Sequence, residues 1–211
     1  MASTRTEFSE KLFEIQRKSE DVPQMEVKLS LGYIGTSSLN STASLCCRKT
    51  GLTYARNINQ VVVVDKATRK PTRIPEWWRE MYSEMAVTGQ SLVVPLIDVM
   101  YDHAHKYDVK VAWSDTDQYK HTNYLSYIRF CQDAAMDACH VNHFSAIKGD
   151  FLKYNTRNIS ICYKNETVAN DRLVVYVWEN ESDNMQLHFS IVKDEAIIFQ
   201  ATFSLYDNPV V

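Results

Sequence analysis

The sequence is poor in glycine and proline, with five of each in 211 residues. This scarcity argues against a disordered or low-complexity chain. Neither sign of charge is in large excess, because the chain has 23 lysines and arginines and 26 aspartates and glutamates, which gives a net charge of −3. A nucleic-acid-binding protein would be expected to carry a basic surface, so nucleic acid is not an expected partner.

Long apolar runs are missing as well. No stretch of about 18 apolar residues occurs, so no membrane span is expected, and the N-terminus has no apolar segment of signal-peptide length. The five cysteines are odd in number and form no C-x-x-C pair, which favours free thiols in a reducing compartment. The expected location is therefore the cytoplasm, with an organelle left open.

Several catalytic signatures are absent. The chain has no G-x-S-x-G elbow, which argues against an α/β-hydrolase, and no G-x-G-x-x-G or G-x-x-x-x-G-K loop for a nucleotide cofactor. Its six histidines include no helical pair with a carboxylate beside it, the pattern expected of a zinc site. We therefore expect no metal and no cofactor.

What is present is a chain with 45% apolar residues, enough for a sizeable core. In the first half, residue patterns predict a helix followed by three strands, a basic loop and a short helix. The respective ranges are Glu7–Glu20, Met25–Tyr33, Leu39–Arg48, Leu52–Val64, Asp65–Pro75 and Glu76–Met85. In the second half they predict a strand, a long helix and four strands. These ranges are Asp108–Trp113, Tyr119–His140, Asn158–Tyr163, Arg172–Glu179, Met185–Lys193 and Ala196–Tyr206.

This order predicts an α+β fold with a helix against an antiparallel sheet. The two halves also resemble each other, since Cys46–Asp65 parallels Ser190–Asp207 as strand, tight turn and longer strand ending in aspartate. We therefore expect two copies of one unit, over residues 1–105 and 106–211. The first copy is expected to be incomplete, because it lacks a counterpart of the strand before the helix.

One segment carries chemistry, and it reads VAWSDTDQYKHTNY over residues 111–124. Two carboxylates (Asp115 and Asp117), a histidine (His121) and an amide (Asn123) lie between a strand and the start of a helix. A helix start has unpaired N–H groups and partial positive charge, which can polarise a carbonyl while a carboxylate activates water. The plainer alternatives are that the aspartates cap the helix, that His121 is a surface residue and that Asn123 is structural.

The same segment carries a family resemblance. WSDTDQYKHTNYLSYI resembles hotdog-fold thioesterases, in which a strand ending in D-x-D leads through H-x-N into the central helix. RNISICYKNETVANDRLVVYVWE resembles their following strands, and QVVVVDKATRKPTRIPEWWRE resembles the end of a hotdog unit. The relatives implied are 4-hydroxybenzoyl-CoA thioesterase-like and plant acyl-carrier-protein thioesterase-like proteins. The resemblance implies a tandem hotdog, each unit a long central helix wrapped by a curved antiparallel sheet, with an incomplete first unit.

The resemblance also implies roles for single residues. Asp117 matches the catalytic carboxylate, His121 matches the assisting histidine of the long tandem members, and Asn123 matches an asparagine near the helix start. Tyr119 stands where those members have asparagine. Lys120 stands where bacterial acyl-CoA members usually have glycine, and a lysine there could meet a phosphate.

The implied activity is hydrolysis of acyl-CoA or acyl-carrier-protein thioesters in fatty-acid metabolism. Asp117 would act on water as a base or attack the carbonyl directly, and backbone amides at Lys120–Asn123 would polarise that carbonyl. The expected substrate contacts are Tyr119, Lys120, Thr122, Arg69, Lys70 and Arg73. The alternative is a hotdog protein that binds an acyl chain or a protein partner without turnover, and a homodimer is compatible with both.

Overall fold

The computed structural model describes residues 2–17, 22–87 and 89–209. Its nine strands are β1 Ala2–Phe8, β2 Met25–Ile34, β3 Ser38–Cys47, β4 Thr53–Val62, β5 His105–Lys110, β6 Tyr154–Tyr163, β7 Arg172–Asn180, β8 Asp183–Lys193 and β9 Ala196–Pro209. Its three α-helices are α1 Glu10–Arg17, α2 Glu76–Tyr82 and α3 Tyr124–His140. Single 3₁₀ turns occur at Ser83–Met85, Trp113–Asp115 and Phe151–Lys153.

The chain divides into two compact units. The first holds residues up to Val94 together with Arg157–Ser160, and the second holds Pro95–Thr156 and the residues from Ile161 onward. In the first unit the strands lie in the order β2-β3-β4-β1, and each adjacent pair is antiparallel. The β3–β4 hairpin turns at Gly51, whose φ of +74° is a conformation that glycine adopts without steric cost.

In the second unit the strand order is β6-β9-β8-β7-β5. The inward faces of β7, β8 and β9 are apolar and fully buried, as at Val175, Phe189 and Phe203. Helix α3 packs on β5 and β7. Alternation along each strand places every second side chain on the helix side, so the core of this unit lies between α3 and the sheet.

Helix α3 begins where the side chain of Asn123 accepts a hydrogen bond from the Leu125 amide at 3.0 Å. Small residues such as Ala134 and Ala138 allow the helix to lie close to the strands, and neither is exposed to solvent. The buried face contains Tyr127, Phe130, Cys131, Ala134, Ala135, Ala138 and Cys139. Leu125, in the first turn of the helix, is 56% exposed.

The order of the strands within the two units supports an internal repeat. Strands β6–β9 lie in the order β6-β9-β8-β7, and strands β1–β4 lie in the matching order β1-β4-β3-β2. The second unit also has β5 and the 17-residue helix α3 before β6. The first unit's own helices are α1 and α2, of eight and seven residues.

The predicted elements differ from the structure in a few places. Strand β1 was not predicted, and its last two residues, Glu7 and Phe8, fall within the predicted helix Glu7–Glu20. That helix is confirmed as Glu10–Arg17, and its predicted last residues, 18–20, lie outside the described part. Strand β5 ends at Lys110 rather than Trp113, and α3 begins at Tyr124 rather than Tyr119, because hydrogen-bonded loops occupy the residues between.

An irregular segment follows α2. In the first unit the amide of Leu92 donates to the side chain of Gln60 at 2.9 Å. In the second unit Gln200 accepts from the Ile97 amide at 3.0 Å and donates to the Ile97 carbonyl at 2.7 Å. Residues 92–99 form no regular helix or strand, and Val93 is 72% exposed.

All five cysteines are free and buried, as the sequence predicted. In the part of the chain that the structure describes, none of the helices has the length and apolar character needed to cross a bilayer.

Candidate functional site

The loop between β5 and α3 is organised around the carboxylate of Asp117. Its Oδ1 accepts the amides of Tyr119 at 2.8 Å and His121 at 3.3 Å. The backbone closes the same loop, because the Asp117 amide donates to the His121 carbonyl at 2.8 Å and the Lys120 amide donates to the Asp117 carbonyl at 2.9 Å. Asp117 is half-buried, and among the described hydrogen bonds none uses its Oδ2. One carboxylate oxygen is therefore held by the loop amides, while the other makes no hydrogen bond among those described.

The turn requires Lys120 to adopt a φ of +63°. Left-handed backbone is unfavourable for a residue with a Cβ and natural for glycine. The predicted correspondence of Lys120 with a glycine therefore agrees with the backbone at this position. Lys120 and Tyr119 both point outward, and Tyr119 is 71% exposed.

His121 reaches a second carboxylate that the sequence analysis did not single out. Its Nε2 lies 3.4 Å from Oε2 of Glu166, and the Glu166 side chain is 53% exposed. Backbone pairing between His121 and Val168 holds the two segments side by side. Glu166 is 45 residues after His121, so only the pairing of these two loops could have identified it.

A buried group of hydroxyls, here called the hydroxyl clasp, joins the same two segments. It consists of Thr122, Thr167 and Tyr127. The Thr122 and Thr167 hydroxyls are 2.6 Å apart, and the Tyr127 hydroxyl lies 2.8 Å from that of Thr167. The Thr122 amide also donates to the Thr167 carbonyl at 2.8 Å. Because the Thr122 hydroxyl is buried and bonded, it positions the loop in this structure.

Asp115 has a structural environment different from that of Asp117. It is 5% exposed, its Oδ2 accepts the Ala112 amide at 2.8 Å, and its Oδ1 pairs with the guanidinium of Arg129. Its backbone carbonyl accepts the Asn123 amide at 2.7 Å. The interpretation of Asp115 as a side-chain cap of α3 is therefore wrong, because that carboxylate closes the 3₁₀ turn and binds Arg129 from the second turn of the helix.

The amides predicted to polarise a carbonyl are already in use. The four N–H groups from Lys120 to Asn123 donate, in chain order, to Asp117 O, Asp117 Oδ1, Thr167 O and Asp115 O. Among the described hydrogen bonds none uses the amide of Gln118 or of Tyr124. Tyr124 is the first residue of α3, so its amide carries the unpaired donor and partial positive charge of a helix start.

A cavity of about 530 Å³ lies beside this loop, between β5 and α3. Its lining includes Asp108, Lys110, Asp115, Ser126, Arg129 and Asp133, and it does not include Asp117. The three remaining predicted substrate contacts, Arg69, Lys70 and Arg73, lie in the first unit. All three are exposed, and Arg73 lines a separate cavity of about 250 Å³ with Thr36 and Arg79.

Charged ligands for a metal are not grouped here. Across residues 2–17, 22–87 and 89–209, no cluster of three or more histidine, cysteine, aspartate or glutamate side chains is placed to hold an ion.

Desolvation by burial raises the pKa of the Tyr127 hydroxyl, and this rise is partly offset by its hydrogen bond to Thr167. The chemical groups that remain available at the start of α3 are a carboxylate oxygen of Asp117, the imidazole of His121 paired with a carboxylate, and the helix-start amide.

Comparison with solved structures places the whole chain in the double-hotdog fold. The chain is similar to the 12:0-ACP thioesterase from Umbellularia californica, with a TM-score of 0.72 and 16% identity over 98% of this chain and 75% of that one. It is also similar to a putative oleoyl thioesterase from Lactobacillus plantarum (TM-score 0.67, 14% identity, 100% and 75% covered). An acyl-ACP thioesterase from Bacteroides thetaiotaomicron gives a TM-score of 0.65 at 12% identity, with 97% and 75% covered.

The predicted α+β tandem hotdog is thus confirmed as the fold. No protein-family model matches the sequence, and no curated protein matches it by sequence.

Proposed function

We propose that this protein hydrolyses acyl-CoA or acyl-carrier-protein thioesters, with Asp117 as the essential carboxylate. The observation that carries the proposal is the grouping of Asp117, His121 and Glu166 in two paired loops at the start of α3. A fold shared with proteins named thioesterases supports the same activity. Fold alone would not be sufficient, since one architecture serves many functions.

The reaction needs a water molecule activated next to a polarised carbonyl. Two amides fix Oδ1 of Asp117, so Oδ2 is oriented to take the proton from water as that water attacks the carbonyl carbon. The helix-start amide of Tyr124 donates to the oxygen as negative charge develops on it. The carbon–sulfur bond then breaks, and the departing thiolate takes a proton from His121, which Glu166 orients. The proton held by Asp117 then passes to His121 and restores both groups.

Direct attack by Asp117 is the other route, and it would form a mixed anhydride. A single turnover in ¹⁸O-labelled water provides a positive test for this second route. Label enters the Asp117 carboxylate only if this residue is the nucleophile. Asn123 contributes to either route by fixing the start of α3, and therefore the direction of the Tyr124 amide.

The remaining assignments concern substrate and cell context. Tyr119 and Lys120 form an exposed edge of the loop, and the basic loop residues Arg69, Lys70 and Arg73 supply positive charge for coenzyme A phosphates. Two hotdog domains over residues 1–105 and 106–211, a homodimer, a cytoplasmic location and a role in lipid metabolism are parts of the same proposal.

The test is thiol release from a panel of acyl-CoAs of increasing chain length, followed with a thiol-reactive dye. Asp117→Asn keeps the side chain's size and its acceptor oxygen for the loop amides, but it removes the base. We expect at least a hundredfold loss of kcat in this variant with little change in thermal stability. Asp194→Asn, in the β8–β9 turn at a φ of +47°, is the matched control and should retain full activity.

A second function is favoured by one observation. The occupied amides from Lys120 to Asn123 leave fewer donors for a developing oxyanion than the sequence predicted. A hotdog protein that binds acyl groups without turnover would show saturable acyl-CoA binding and no thiol release in either the native protein or Asp117→Asn. That result would overturn the hydrolase proposal and establish the binding function.

A further inference from the structure

A buried hydroxyl near the proposed site has no hydrogen-bond partner among the residues that the structure describes. Among the buried side-chain nitrogen and oxygen atoms of the described residues, Tyr163 Oη and Ser190 Oγ alone make no hydrogen bond. Burying a hydroxyl without a hydrogen bond is unfavourable, so each such group in a folded protein requires an explanation. Tyr163 is the one that lies on the α3 side of the sheet.

Tyr163 is the last residue of β6 and belongs to a cluster of three rings. Its ring meets Phe199 edge-on at 5.1 Å and Tyr127 edge-on at 6.1 Å, while Tyr127 stacks on Phe199 at 5.2 Å. Phenylalanine would preserve all of these ring contacts without burying a polar atom. Packing therefore explains the ring of Tyr163 but not its hydroxyl.

The neighbouring tyrosine shows the contrast. The Tyr127 hydroxyl is part of the hydroxyl clasp and is bonded to Thr167, so its burial is satisfied within the protein. Burial raises the pKa of the Tyr163 hydroxyl far above its ordinary value, and the nearby groups of Tyr124, Cys131 and Tyr127 raise it further. The hydroxyl is therefore a neutral donor at physiological pH.

The Tyr163 hydroxyl lies close to the groups proposed to hydrolyse the thioester. Three residues further along the chain, Glu166 pairs with His121. Its ring contacts that of Tyr127, which lies in the first turn of α3. The hydroxyl is therefore on the side of the sheet that faces the helix whose start would polarise the thioester, among aromatic rings.

We propose that Tyr163 is a specificity contact that donates a hydrogen bond to a neutral oxygen on the acyl group of the substrate, a hydroxyl or keto oxygen. The preferred substrates would then be oxygenated acyl thioesters rather than plain hydrocarbon chains of the same length. A bound substrate would supply the acceptor that the protein itself does not. This inference rests on the proposed thioesterase function and specifies its substrate class.

The experiment compares kcat/KM for a matched substrate pair, decanoyl-CoA and 3-hydroxydecanoyl-CoA, in the native protein and in Tyr163→Phe. We expect the native protein to favour the hydroxylated substrate by about tenfold or more, the effect of one well-placed hydrogen bond. Tyr163→Phe should remove that preference and leave decanoyl-CoA turnover within about twofold. Tyr176→Phe is the control, since Tyr176 lies on the opposite face of the same sheet, against Tyr101.

Each other outcome overturns the inference. Equal loss on both substrates would place Tyr163 at the reacting carbonyl, and no change on either would leave it as a packing residue. If the native protein hydrolyses neither substrate, the proposed function fails separately. Dissociation constants for the matching non-hydrolysable thioether analogues then decide, with the inference requiring tighter binding of the hydroxylated analogue that Tyr163→Phe abolishes.

Discussion

Replacing Asp115 with alanine tests how the loop of the proposed site is held. The carboxylate is 5% exposed and has two partners, the Ala112 amide at 2.8 Å and the Arg129 guanidinium. A hydrogen bond from a backbone amide to a buried charged group contributes about 1.5–3 kcal/mol. The ion pair adds about 0.2–1 kcal/mol, because Arg129 is 52% exposed and solvent screens its charge.

The expected loss in the free energy of unfolding is therefore about 3 kcal/mol. For a chain of this length that corresponds to a fall in the melting midpoint of roughly 6–12 °C. Urea titration followed by circular dichroism and tryptophan fluorescence gives the first quantity, and thermal melting gives the second. Because Asp115 also receives the Asn123 amide through its backbone, we expect the variant to retain that contact and still fold.

Asp133→Ala is the matched comparison. Asp133 pairs with the same guanidinium at 3.1 Å but is 41% exposed and binds no backbone amide in the described contacts. It should cost about 0.5 kcal/mol or less. If Asp115→Ala were no more destabilising than Asp133→Ala, the 3₁₀ turn would not depend on the buried carboxylate, and the reasoning would be refuted.

Two further substitutions test the loop backbone and the second unit's sheet. Lys120→Gly should raise the free energy of unfolding by about 0.5–1 kcal/mol, because glycine relieves the φ of +63° at some cost in chain entropy. Lys120→Ala retains the Cβ, so an equal gain in both variants by urea titration would contradict this reason. His188 accepts from Asn180 at 3.0 Å, and burial lowers its pKa from 6.5. Below pH 6.5 the unfolded chain therefore gains a proton before the folded one, and stability should fall as pH falls, by at most about 1.4 kcal/mol per pH unit. Melting curves between pH 7.5 and 5 should show a smaller fall in His188→Gln, and an identical fall would count against a neutral buried imidazole.

The strands of the second half were predictable because their apolar alternation is strong. Strands β7, β8 and β9 were located within a few residues, since their inward side chains form the fully buried core. Strand β1 was not predicted, because Phe8 is its only large apolar residue. Its threonines instead pair with asparagines across the sheet, Thr4 with Asn59 at 2.6 Å and Thr6 with Asn57 at 2.8 Å. A polar ladder of this kind leaves no hydrophobic period in the sequence.

The site was predictable in part for a similar reason. Asp117 and His121 belong to one short motif, so their proximity follows from local sequence. The pairing of His121 with Glu166 depends on a backbone bridge between distant segments, which no local pattern encodes. The amides of Lys120–Asn123 were expected to be free because the helix was predicted to start at Tyr119. They are occupied because the loop folds back on Asp117 and Thr167.

The hydroxyl clasp has a consequence for how its protons are arranged. Thr122 can donate to the Thr167 carbonyl, 3.1 Å away, which leaves the Thr167 hydroxyl to donate to Thr122 and the Tyr127 hydroxyl to donate to Thr167. All three hydrogen bonds then point in the same direction along the chain of hydroxyls, and the last one ends on the carbonyl of Thr167, the residue after Glu166. Displacement of the loop that carries Thr122 relative to the loop that carries Thr167 would break the hydrogen bonds between these two residues, so the clasp holds His121 and Glu166 at their present separation.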